Sequence, residues 1–108
     1  MYVVHPDDVR SEPSEGGDFR TLLSPDLGGA LGVYLLSITR SEPHEHDAED
    51  QIYIIQSGRA VAEINDERRE VGPGDLVYVP RGSRHSLAAL GGAPVVLYSL
   101  MHQLARRE

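Results

Sequence analysis

The sequence predicts an all-β fold, and three observations carry that expectation. Eight short runs rich in β-branched, aromatic and other apolar residues recur along the 108 residues. Eleven glycines and seven prolines punctuate them. No stretch of about a dozen residues keeps a clean helical period. Regularly spaced runs of this kind point to an antiparallel sandwich or barrel rather than a βαβ arrangement.

The runs are Phe19–Leu23, Leu31–Thr39, Gln51–Gln56, Arg59–Ile64, Arg68–Val71, Leu76–Val79, His85–Leu90 and Val95–Met101. Asn65-Asp66 joins two of them and tolerates positive φ, as a hairpin requires. Gly91-Gly92 can adopt the mirror-image turns that suit strand twist. Gly72-Pro73-Gly74 and Pro80-Arg81-Gly82 bracket Leu76–Val79, because proline brings no amide hydrogen to a ladder. Residues 1–17 are acidic, with Pro6, Pro13 and Gly16-Gly17, and read as an N-terminal arm or a late-added edge strand. The barrel itself is expected over residues 18–101. His102–Glu108 has no strand pattern and reads as a tail, helical for a turn or disordered.

Composition narrows the chemistry. A chain of this length is one domain with a modest core. Seventeen acidic residues against ten basic ones give a formal charge of −7, which argues against nucleic acid and anionic membrane surfaces as partners. All ten basic residues are arginine. Without lysine there is no Schiff-base chemistry; without cysteine there is no disulfide, thiolate metal site or thiol nucleophile. The longest apolar stretches, Gly29–Leu36 and Ala93–Leu100, fall far short of the ~20 residues that span a bilayer. No basic-then-apolar leader follows Met1, so the expected location is the cytoplasm.

Three histidines stand out. His44 and His46 are two apart, and on an extended strand such residues face one way, about 6.5–7 Å apart. Both rings can then lean on one cation at about 2.1 Å. On a helix they would diverge, and Pro43 argues against one. A bare His-x-His can equally be a solvated pair. His85, ending the run after Gly74, weighs against that.

Together these segments resemble the cupin superfamily. Its second motif is a glycine, five residues, Pro-x-Gly, two residues, a histidine, three residues and an asparagine. Gly74, Pro80, Gly82 and His85 match it, with Ala89 at the asparagine position. The first motif matches at His44, His46 and Gly58, but Ile38 replaces its leading glycine and Gln51 its glutamate. The resemblance covers roughly residues 30–101. It implies a double-stranded β-helix, the jelly-roll barrel, holding one divalent metal (iron, manganese, zinc or nickel) through His44, His46, the residue at 51 and His85. Gln51 is the expected fourth ligand. Asp50, on a bulged strand, and water are the alternatives.

Around the metal, Tyr53 should share the face of Gln51 and is the candidate catalytic hydroxyl; filling the barrel is its other reading. Tyr34, Tyr78 and Tyr98 could line the interior too. Arg59 and Arg81 are candidates to hold an anion, with solvated surface charge as the alternative. Glu45 should point outward, and Asp47, Glu49 and Asp50 form an acidic rim. Gly82 should allow a close approach before His85 that a side chain would crowd.

The implied function is a metal-dependent enzyme on a small organic substrate. A dioxygenase-like oxygenase comes first, because a metal with open positions can hold substrate and dioxygen together. A non-redox isomerase, polyketide-cyclase-like enzyme or lyase comes next, and a neutral glutamine ligand suits it. A non-catalytic binding or sensing module is the third reading. Exposed sheet edges and the habit of small cupins lead to the expectation of a homodimer.

Overall fold

Period-two burial organises the chain into ten strands in the computed structural model, which describes residues 1–103. After a 3₁₀ turn at Pro6–Asp8, capped by the His5 ring, come β1 (Glu12–Ser14), β2 (Gly17–Leu23), one helical turn at Pro25–Gly28, β3 (Leu31–Ile38) and β4 (Arg40–His44). Then follow β5 (Glu49–Ser57), β6 (Ala60–Ile64), β7 (Glu67–Val71), β8 (Leu76–Val79), β9 (His85–Ala89) and β10 (Val95–Gln103). They form a six-stranded sheet, β1-β2-β3-β10-β5-β8, facing a four-stranded sheet, β4-β9-β6-β7, and every pairing is antiparallel. This is the single-domain, all-β double-sheet barrel that the sequence predicts.

Ile38, Tyr53, Ile55, Ala60, Ala62, Val71, Val79, Leu87, Val95 and Leu97 fill the space between the sheets. The alternation is clean on β5, where Gln51, Tyr53 and Ile55 are buried while Ile54 is open to solvent. It also decides the tyrosines. Tyr34 stands on the inward parity of β3 with Ile38, edge-to-face with Phe19 at 6.5 Å. Tyr78, paired with Ile52 on the outer face, is 52% exposed. Tyr98 opposes the exposed Ile54. Neither of the last two lines the interior.

Three local expectations are refined. Asn65-Asp66 does close the β6–β7 hairpin, with Asn65 at φ 52°. Gly91 and Gly92 take positive φ, but the strands that they join lie in different sheets, so they make a crossing and not a hairpin. Strand β10 runs past Met101, pairing His102 with Leu31 and Gln103 with Glu49. The expected tail therefore begins in the sheet; residues 104–108 lie outside the described residues.

The N-terminal segment supplies the edge strand β1. Its hairpin tip, Glu15-Gly16, is pinned to the corner between β3 and β4, where Thr39 donates to the Gly16 carbonyl from both its amide (2.8 Å) and its hydroxyl (3.0 Å). Gly16 sits at φ 78°, and a Cβ there would meet the Arg40 carbonyl oxygen at 1.7 Å. Both facts demand glycine. No helix among the described residues is long and apolar enough to cross a membrane.

Candidate metal centre

Strand β4 presents His44 through an irregularity. Ser41 pairs with Leu87 and His44 with His85, so three steps on β4 match two on β9. The extra residue falls at Glu42-Pro43, where proline could not have donated to the ladder anyway. The bulge restores inward parity, and Ser41 and His44 both face the interior side. His46 lies just beyond the strand end, yet the alternation continues: Glu45 and Asp47 are exposed and His46 is half-buried. Its carbonyl accepts the Gly82 amide (2.9 Å), which ties this segment to the turn before His85. Gly82 has φ 81° and nothing within 4 Å of where a Cβ would stand. Its role is therefore the backbone conformation and not the crowding expected from sequence.

The three rings converge. Their centroids are 4.9 Å apart for His44 and His46, 4.1 Å for His44 and His85, and 5.2 Å for His46 and His85. One nitrogen from each lies within 4.8 Å of the others, close to the spread of up to about 4.2 Å that two bonds of ~2.1 Å allow around one ion. Hydrogen bonds set the tautomers. His44 Nδ1 lies 2.8 Å from the Glu42 carbonyl, and His85 Nδ1 lies 3.0 Å from that of Ser83. A carbonyl only accepts, so both protons sit on Nδ1 and both Nε2 lone pairs are left free.

Two buried side-chain atoms have no hydrogen-bond partner among the described residues: His85 Nε2 and Gln51 Oε1. Such atoms are costly to leave unsatisfied. His85 belongs to the histidine cluster, and Gln51 lines the same cleft as His44. The Gln51 amide is oriented from β10, its Nε2 donating to Ser99 Oγ at 2.8 Å, with Ser99 only 1% exposed. A divalent ion is a suitable partner for both orphaned atoms, and the set of three imidazoles and an amide oxygen fits one.

Asp50 does not compete for it. One carboxylate oxygen accepts from the Arg81 amide (3.0 Å) and the Tyr78 hydroxyl (3.3 Å), on the far side of β5 from Gln51. Strand parity, unbroken by any bulge there, keeps it out. Arg59 is paired with Glu70 at 2.9 Å, and Arg81 and Arg84 are exposed. Glu49 points inward, its Oε2 3.9 Å from His46 Nδ1.

Burial lowers the His46 pKa, His44 adding to the effect and Glu49 opposing it. Burial also lowers that of His85, with the nearby imidazoles adding to it and the Ser83 carbonyl opposing. Both are then neutral and ready to ligate at neutral pH. Tyr53, 6.4 Å from the His85 ring between centroids, is buried, which pushes its hydroxyl up to about 12, Gln51 opposing. It keeps its proton at neutral pH and has it to donate in a hydrogen bond.

A cleft of about 360 Å³ opens onto this cluster, lined by His44, Gln51 and Tyr53 and walled by Leu36, Ile38, Ser41, Glu42, Pro43 and the hairpin residues Ser14 and Glu15. Sequence reasoning missed the hairpin wall and Ser99. Gly16-Gly17 marked the turn, but nothing local showed where the turn would dock. A second depression, about 380 Å³, lies on the opposite seam between β7 and β8 and contains none of the histidines.

A two-sheet barrel that gathers His-x-His at the end of one strand and a third histidine from the neighbouring strand is a cupin arrangement whose histidines could hold a metal ion. A family model described as a cupin domain matches residues 37–101, and the chain belongs to that family. An uncharacterised protein of Methanocaldococcus jannaschii is 33% identical over 75% of this chain and 69% of its own length. The tetracenomycin polyketide synthase protein TcmJ of Streptomyces glaucescens is 28% identical over 86% of this chain and 66% of its own. Among solved structures, a protein of Thermotoga maritima described as a predicted oxalate decarboxylase superposes with a TM-score of 0.84 at 21% identity, covering 95% of this chain and all of that one. KdgF of a Halomonas species gives 0.79 at 23%, covering 94% and 92%. At these identities, the structural likenesses show the fold alone.

Proposed function

We propose that this chain is a metal-dependent enzyme acting on a small organic substrate, its divalent ion serving as a Lewis acid without a change of oxidation state. The observation that carries this reading is the buried, unpartnered Gln51 Oε1, on an amide that Ser99 fixes through Nε2 and that lines the cleft with His44. A glutamate there would leave one net positive charge on a divalent centre; glutamine leaves two. When bound, such an ion polarises a carbonyl or stabilises an enolate oxygen, whereas carboxylate ligands are what help to stabilise a trivalent, oxidised state. His44, His46, Gln51 and His85 would hold the ion. Tyr53 keeps a hydroxyl proton beside the cleft and donates it, as a hydrogen bond, to a substrate oxygen that gains negative charge. Leu36 and Ile38 exclude water from one wall of the cleft. Isomerisation, cyclisation or lyase chemistry on an enolisable carbonyl fits these parts. TcmJ, a polyketide synthase protein by its name, supports carbonyl-rich substrates of this kind.

The test is hydrogen–deuterium exchange at the activated carbon of acetylacetone in D₂O under argon. Zinc-loaded protein is expected to accelerate exchange, and Tyr53→Phe to slow it about 100- to 1,000-fold with the metal retained. Exchange indifferent to metal, or turnover that requires iron and consumes oxygen, overturns the reading and returns the oxygenase alternative.

A further inference from the structure

Strand register gives the two sheets very different outer faces. On the six-stranded sheet, Leu35, Tyr98, Ile54 and Leu76 stand opposite one another across β3, β10, β5 and β8. Val33, Leu100, Ile52 and Tyr78 form the next such row. Both rows have the parity opposite to the buried Tyr53, Ile55 and Leu97, so two uninterrupted apolar rows point away from the core. On the four-stranded sheet the outward positions include Arg40, Glu63, Arg68 and Glu70, with Glu63 opposite Arg68. An antiparallel sheet with one face in water alternates apolar-in and polar-out. The four-stranded sheet obeys that rule and the six-stranded sheet breaks it.

The N-terminal arm extends the apolar face. Arg20, opposite Leu35 and so on the same side, donates from Nη1 to the carbonyls of Pro6 (2.9 Å) and Val9 (2.8 Å). The Tyr2 hydroxyl donates to the Leu22 carbonyl at 2.7 Å. The arm is thereby tied along β2, with Tyr2 and Val3 left open to solvent.

We infer that this face is a dimer interface, covered by the same face of a second copy of the chain with the two arms at its margin. The rows carry no charge, so two chains of formal charge −7 can meet there without like charges in contact. A two-fold axis makes one such patch complementary to itself. Covering the exposed tyrosines strips neither hydroxyl of its partner, because Asp50 accepts from Tyr78 at 3.3 Å and the Leu22 carbonyl accepts from Tyr2. The area also suffices. At about 150–250 Å² for a large side chain fully open, the exposed fractions of Ile54 (36%), Leu76 (60%), Tyr78 (52%), Tyr2 (56%) and Val3 (82%) leave roughly 500 Å². The half-buried members of the rows bring this to roughly 700 Å², near the ~800 Å² that each partner gives to a stable interface. The two sheets then pack face to face about 10 Å apart.

Sedimentation equilibrium of the full chain from about 1 to 100 μM is expected to give twice the mass of one chain, with a melting temperature that rises with concentration. Leu76→Arg, at a position open to solvent in the single chain, should keep the fold by circular dichroism. It should raise the dimer dissociation constant about 100-fold or more, because the two-fold axis buries the new charge twice. Ile54→Arg repeats the test from a second strand. Val61→Arg, opposite Glu70 on the outer face of the other sheet, should leave the dimer unchanged. A single-chain mass throughout the range overturns the inference, whether the chain is free or carried at this face by phosphatidylcholine vesicles or another protein. So does a dimer that survives both Leu76→Arg and Ile54→Arg, or one that Val61→Arg breaks.

Discussion

Ser99→Ala removes one hydroxyl from β10 and leaves the Gln51 Nε2, 5% exposed as a residue, without its 2.8 Å acceptor. The Oε1 of the same amide already has no partner. A buried polar group stripped of its hydrogen bond costs about 1–3 kcal/mol, and the vacated space is too small to admit much compensation from repacking. At roughly 4–8 °C per kcal/mol for a domain near this size, the metal-free protein should melt about 5–20 °C lower. The larger effect should fall on the metal. Losing a group that orients a ligand typically costs 10- to 100-fold in affinity, and here the freed amide can rotate its oxygen away from the cluster. Chelator competition reads the affinity, and thermal melting of the metal-free form reads the stability. The decisive arm is a double-mutant cycle with Gln51→Leu. If Ser99 acts through Gln51, Ser99→Ala in that background leaves metal affinity unchanged. Equal, additive losses in both backgrounds would refute the orientation argument and leave Ser99 a packing residue.

Three further outcomes follow. His85→Ala is expected to lower zinc affinity at least 100-fold, read by elemental analysis after gel filtration; unaltered metal content would displace the site from this cluster. The metal-free protein should lose stability as pH falls below about 6.5. His46 and His85 have pKa values lowered in the fold, so the unfolded chain binds more protons in that window and is favoured there. Urea midpoints that stay flat or rise from pH 7.5 to 5.5 would contradict this. Gly16→Ala should cost about 2–4 kcal/mol, since its Cβ would overlap the Arg40 carbonyl as well as strain a φ of 78°, whereas Gly91→Ala, at φ 75° with nothing within 4 Å, should cost only about 1 kcal/mol. Similar urea midpoints for the two variants would deny that the hairpin is clamped at that corner.

Strand content was readable along the chain because alternation and turn chemistry are local properties. All eight runs became strands, and Asn65-Asp66 became the hairpin it resembles. His44 and His46 could be put on one face by counting, and Gly74, Pro80, Gly82 and His85 carried the family. Strand β4 was harder to read: Pro43 interrupts the pattern, and the bulge that lets Ser41 and His44 face inward together exists only through pairing with β9.

Everything else in the site came from contacts between residues far apart in sequence. Asp50 and Gln51 are neighbours, and what separates them is that Asp50 meets Arg81 and Tyr78 while Gln51 meets Ser99, 48 positions away. Whether Tyr78 lines the interior depends on which strand faces β5, and Glu15 reaches the cleft only because its turn docks at Thr39. Local stereochemistry determined which residues extend and where the chain turns. Which of them meet was decided by the closure of two sheets over one core, where burial forces each inward polar atom to find a partner or to await one.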